Sequence, residues 1–142
     1  MRNVNQILAN KNGRLVTVPK EAPVLEVIRL MAEHHIGSVL VMQGGELLGI
    51  ATERDYARKV ILQGRSSADT PVSQIMSHPV VTVSPADTAQ TCMALMTERR
   101  IRHLPVVEGG QVLGLVSIGD LVKAVIEDQQ QEIEQLQQYI TS

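Results

Sequence analysis

Ile101-Arg102-His103-Leu104-Pro105-Val106-Val107-Glu108-Gly109-Gly110-Gln111-Val112-Leu113-Gly114-Leu115-Val116-Ser117-Ile118-Gly119-Asp120 decides how this chain folds. Leu104 to Val107 and Val112 to Val116 are strand-forming runs, and Gly109-Gly110 between them supplies the positive φ angles of a tight hairpin. A helix then starts at Ile118. Sixty-five positions upstream the pattern recurs: Ser38 to Met42 and Leu47 to Ala51 flank Gly44-Gly45, and a helix follows from Glu53.

The order before each hairpin is also shared. Leu15-Val16-Thr17-Val18 and Val80-Val81-Thr82-Val83 are short strand-forming runs, closed by Pro19 and by Ser84-Pro85. Next, Val24, Val27, Ile28 and Met31 fall at i, i+3, i+4 and i+7 of a helix, and Ala89, Cys92, Met93 and Met96 repeat that stripe. Pro23 suits the first turn of one helix, and Asp87 or Thr88 suits the cap of the other. Residues 16–58 lie on 81–123 without a gap, with thirteen identical pairs that include Gly49/Gly114 and Asp55/Asp120. Val4-x-Gln6-Ile7-Leu8 matches Val72-x-Gln74-Ile75-Met76 at an offset of 68, so each copy has a leading segment.

The expected organisation is a first repeat over 1–62, a linker over 63–71, a second repeat over 72–124 and a C-terminal amphipathic helix over 125–142. The fold class is α/β (α+β). Two β-α-β-β-α copies are expected to pack about a pseudo-twofold axis and bury each other's apolar surface.

These tandem units, with Ile101 to Val107 before one hairpin and Gly114 to Asp120 after it, resemble a pair of cystathionine β-synthase (CBS) domains, a Bateman module. The resemblance covers nearly all of Val4 to Lys123. It implies a regulatory module, without catalysis, that binds adenosine-containing ligands (AMP, ADP, ATP, NAD or S-adenosylmethionine) in clefts between the copies. It also implies a homodimer and an unidentified effector protein.

The resemblance assigns the motifs Thr52-Glu53-Arg54-Asp55 and Ser117-Ile118-Gly119-Asp120 to nucleotide binding, with Asp on the ribose and Ser or Thr near phosphate. A carboxylate accepts both ribose hydroxyl protons, and a helix start offers N–H groups to phosphate. The same spacing is a capping box, and the two readings are compatible. The resemblance puts Arg102 and His103 near phosphate, where a guanidinium fits well. Arg54 and Arg58 are further phosphate candidates. The alternative for the Arg99-to-His103 cluster is a solvated turn pairing with Glu98 and Glu108. Copy one has Gly37-Ser38 where copy two has Arg102-His103, so the two sites are unequal. Gly37 is either a tight turn or room for an adenine ring, with Ile36 and Val39 as apolar walls.

Composition narrows the classes further. A formal net charge of -2, no Phe or Trp, and only Tyr56 and Tyr139 leave little for a base-stacking or basic nucleic-acid surface. Cys92 alone excludes an internal disulfide and a multi-cysteine zinc site. No run reaches membrane-span length, and the first residues lead into no signal-peptide core, so the expected address is cytoplasmic, with no membrane partner. Neither a nucleophile elbow nor a P-loop is present, and the histidines have no metal-ligand spacing, so no metal is expected.

Beyond Lys123, Ile126, Gln129, Ile133, Leu136 and Ile140 alternate steps of four and three, the seam of a short coiled coil. It is too short to stand alone, so it packs on its own module or on a second copy. The rival to a ligand sensor is a structural dimerisation module with vestigial clefts.

Overall fold

A computed structural model describes residues 2–11 and 15–141. In chain order the elements are α1 (Val4–Ala9), β1 (Thr17–Val18), α2 (Val24–His34), β2 (Ser38–Gln43), β3 (Glu46–Thr52) and α3 (Glu53–Tyr56). There follow a π-helical segment (Ala57–Ile61), a 3-10 turn (Val72–Gln74), α4 (Ala89–Arg99), β4 (His103–Glu108), β5 (Gln111–Ser117) and α5 (Ile118–Thr141). No helix among the described residues is long and apolar enough to cross a membrane.

The chain forms two compact units, Arg14–Val81 and Met1–Gly13 with Thr82–Ser142. Both hairpins form as the glycine pairs require: Gly44 and Gly45 have φ of 58° and 83°, Gly109 and Gly110 of 58° and 79°. In Arg14–Val81 the sheet order is β1-β2-β3, with β1 parallel and β3 antiparallel to β2. Val24, Val27 and Met31 of α2 pack with Val39, Val41 and Ala51, and Val72 and Ile75 join the same core. Each fully buried Val contributes roughly 1.5–3 kcal/mol. In the other unit Ala89, Cys92 and Met96 of α4 are buried, as are Leu104, Val106, Val116, Leu121 and Ala124. Burial pushes the Cys92 thiol up to about 11, with Asp87 adding to the shift, which leaves it a packing residue.

The packed units regroup the sequence repeats. The leading segment of each copy packs with the hairpin of the other. Val4 N donates to Asp87 O (2.8 Å) and Ala89 N to Arg2 O (3.1 Å); at matching positions Val72 N donates to Ala22 O (2.8 Å) and Val24 N to Thr70 O (2.9 Å). Pro23, the N-cap of α2, has no side-chain cap to offer, so carbonyls of Ser67 and Thr70 satisfy the first N–H groups of that helix. On α4 Thr88 is the cap and accepts from Thr91 N, while Asp87 accepts from Ser84 N in the preceding turn. The docking brings the leading segment close against one glycine of each facing strand. A Cβ on Gly49 would lie 2.5 Å from Met76 Sδ, and one on Gly114 2.9 Å from Leu8 Cδ2.

Two elements differ from the sequence reading. The run Val80 to Val83 makes only an isolated parallel bridge, Val83 with Val106, whereas its counterpart forms β1. In copy one Leu40 N donates to Val16 O (3.2 Å), but Pro105 occupies the Leu40 position and has no N–H. The second difference is at the C-terminus, where α5 continues unbroken from Ile118 to Thr141. Arg2 holds it through Glu127 (2.8 Å) and Asp128 (3.0 Å). Past that clamp Ile133, Leu136, Tyr139 and Ile140 are exposed.

Candidate functional site

Each unit carries one motif, placed by the same local device. The carbonyl just before the first hairpin strand receives the first N–H of the following helix: Gly37 O from Glu53 N (3.1 Å) and Arg102 O from Ile118 N (2.9 Å). Strand pairing sets Ser38 opposite Thr52 and His103 opposite Ser117. The two separated halves of each motif therefore meet at the start of one helix.

In Arg14–Val81, Thr52 Oγ1 accepts from Asp55 N (3.2 Å) and donates to Asp55 Oδ2 (3.1 Å), which also accepts from Thr52 N (3.0 Å). The capping box is complete. Asp55 Oδ1 pairs with Lys59 Nζ (3.1 Å), and the same ammonium donates to Ile75 O (2.9 Å). Both carboxylate oxygens are thus engaged, and Asp55 is buried. Gly37 is half-buried, while Ile36 packs on the core and Val39 lies within it, under α2. Ser38 Oγ, also buried, has no hydrogen-bond partner among the described residues. Arg54 and Arg58 are exposed, and Arg58 makes no ion pair with a described residue.

In the other unit Ser117 Oγ accepts from Asp120 N (3.2 Å), and Asp120 Oδ2 accepts from Ser117 N (2.8 Å). Oδ2 also receives Lys11 Nζ at 2.8 Å, and Lys11 donates to Leu115 O at 2.7 Å. Asp120 Oδ1 accepts from no described residue, and the side chain is 24% exposed against 11% for Asp55. Burial pulls the Asp120 carboxyl upward, but the Lys11 hydrogen bond and the Ser117 bonds outweigh it, and it lies below its ordinary range. His103 is pushed below the ordinary imidazole value by burial first, then by Lys11 and Arg102, with Asp120 opposing.

The structure brings Ser117, Asp120, His103 and Arg102 together. Arg102 is exposed and pairs with neither Glu98 nor Glu108. Arg100 is the left-handed cap of α4, φ 56°, as His35 is of α2, φ 54°. Lys11 and Lys59 are absent from the sequence reading. Lys59 had a signal, the i,i+4 spacing from Asp55. Lys11 had none, being 109 residues from Asp120. Among the described residues no three His, Cys, Asp or Glu side chains converge as metal ligands.

The profile of the CBS domain matches residues 4–61 and 72–127. CBS domain-containing protein CBSX3, mitochondrial, of Arabidopsis thaliana is 43% identical over 122 residues, which are 82% of this chain and 59% of the plant protein. The chain therefore spans less than two thirds of that relative. A protein with CBS domains from Burkholderia ambifaria is 54% identical in its solved structure, with a TM-score of 0.86 over 89% of this chain and 96% of that one. Two more distant structures share the fold. The CBS pair of MJ0100 (22% identical, TM-score 0.78, 89% and 97% covered) is in complex with 5′-methylthioadenosine and S-adenosylmethionine, and PAE2072 of Pyrobaculum aerophilum (24%, 0.74, 83% and 88%) with AMP. A CBS-CP12 protein from bloom-forming cyanobacteria (28%, 0.74, 84% and 70%) is hexameric.

Proposed function

The chain belongs to the CBS-domain family, and from that premise we propose that it is a regulatory module that binds an adenosine-bearing nucleotide and passes the bound state to an effector protein. AMP, ADP and ATP are the first candidates and NAD the second. The observation that carries this is Asp120: its Oδ2 is committed to the helix cap while Oδ1 accepts from no donor among the described residues, beside Ser117, His103 and Arg102. A ribose diol supplies two hydroxyl donors to such an oxygen, and phosphate suits the neighbouring hydroxyl and guanidinium. Adenosine compounds held by two proteins of this fold support the ligand class. The reading assigns no reaction to the chain. Its mechanism is a population shift, driven by unequal ligand contacts in two conformations.

Asp55 is the poorer acceptor because Lys59 occupies its second oxygen. The second motif is therefore the principal site. Thermal unfolding with increasing AMP, ADP, ATP or NAD tests the reading, because ligand at a hundred times its Kd adds about 2.7 kcal/mol to the native state. No shift with any of them refutes it.

One observation favours assembly as well. Ile126, Ile133, Leu136 and Ile140 lie exposed on α5 at heptad spacing. We assign this face to a homodimer, in which the chain acts as a dimerisation module alongside its sensing role.

A further inference from the structure

Lys11 distinguishes the second motif from the first by more than its position in the chain. An ammonium has three donors and no acceptor. Lys11 commits one to Leu115 O and one to Asp120 Oδ2, and the third has no described partner. We propose that Lys11, given the nucleotide reading of Ser117 and Asp120 on which this rests, selects adenosine ligands carrying a 5′-phosphate over those whose 5′ group is neutral or cationic.

The charges around the site give the reason. Lys11 already balances Asp120, and a diol received on Oδ1 leaves that pair in place on Oδ2. Arg102 then remains as an uncompensated positive charge next to His103 and the start of α5, since none of the described carboxylates pairs with it. A phosphate brings the missing negative charge and accepts the third Lys11 donor. A thioether brings neither, and a sulfonium adds another positive charge. The first motif differs in two ways: Gly37 and Ser38 replace Arg102 and His103, and Lys59, which likewise spends two donors, takes Asp55 Oδ1, so that both oxygens of that carboxylate are engaged.

Titration calorimetry of the full chain with AMP, ATP and 5′-methylthioadenosine, repeated on Lys11→Met and Lys11→Arg, tests the assignment. The expected result is AMP favoured over 5′-methylthioadenosine in the unaltered chain, a preference reduced about tenfold by Lys11→Met through weaker AMP binding and restored by Lys11→Arg. ATP should lose at least as much as AMP. The ratio of two affinities on one preparation is insensitive to the folded fraction, so partial misfolding of a variant does not mimic the effect. Equal weakening of both ligands would make Lys11 a mere support for Asp120, and stronger AMP binding in Lys11→Met would make it a blocker; either overturns the selectivity. An unchanged ratio with AMP still bound overturns it while leaving the nucleotide reading standing, whereas an unaltered chain that binds no adenosine compound removes both.

Discussion

Gly49→Ala and Gly114→Ala introduce the same methyl at equivalent positions of the two hairpins, yet they should differ in cost. At Gly49 the new Cβ meets Met76 Sδ at 2.5 Å, Met76 Cγ at 2.8 Å and Ser77 O at 3.1 Å. Met76, packed against the core, gives way only in part, and Ser77 not at all, because Ile50 N donates to its carbonyl (3.1 Å) and its own N–H donates to Ile50 O (2.9 Å). At Gly114 the three nearest atoms all belong to the Leu8 side chain, the closest being Cδ2 at 2.9 Å. Overpacking costs about 1–3 kcal/mol, against which Ala recovers about 0.5–1 kcal/mol over Gly in a strand. Gly49→Ala should therefore lose roughly 1–2 kcal/mol, a fall of roughly 2–8 °C in melting temperature, while Gly114→Ala should remain within about 0.5 kcal/mol of the parent. Urea and thermal unfolding of the two variants, and of Gly49→Ala with Met76→Ala, measure this. The double variant should show favourable coupling, because removing Met76 gives the methyl its space. Equal losses at the two glycines, or no coupling with Met76, would refute the view that the leading segments dock tightly on these strands.

Asp120→Ala should weaken nucleotide binding by about 1.5–3 kcal/mol, the range for charge-assisted hydrogen bonds, and Asp55→Ala by less, as titration calorimetry would show; an equal loss at both would contradict the assignment of the principal site. Asp120 also predicts an acid sensitivity. Its folded value lies below the ordinary one, so its contribution is full above the unfolded carboxylate value and is lost as pH falls through the lowered one. Asp120→Asn should flatten the decline of melting temperature between about pH 5 and 2. Truncation after Asp128 removes the exposed Ile133, Leu136, Tyr139 and Ile140 but keeps the Arg2 clamp, and should weaken the dimer in light scattering over a dilution series without changing nucleotide affinity.

Much of this architecture is written locally and was legible in the sequence. Paired glycines specify the hairpins, a 3.6 periodicity specifies α2 and α4, and Thr-x-x-Asp and Ser-x-x-Asp specify where the helices after the hairpins start. What escaped depends on partners far apart in the chain. The offset of 68 identifies Val4 to Leu8 and Val72 to Met76 as equivalent, but only the fold reveals that each belongs with the other copy's hairpin, under Gly114 and Gly49 respectively. Pro105 acts by lacking an N–H, and its effect emerges only when it falls opposite a strand that needs that donor. Lys11 follows the same logic. Nothing in its neighbours marks it, and it becomes part of the site because docking α1 against β5 and α5 carries the end of that leading segment to Asp120. The regrouping of leading segments therefore contributes to the chemical difference between two motifs that look alike in sequence: a distant lysine shares the capped oxygen of Asp120 and leaves the other without a donor among the described residues, and a local lysine takes the second oxygen of Asp55.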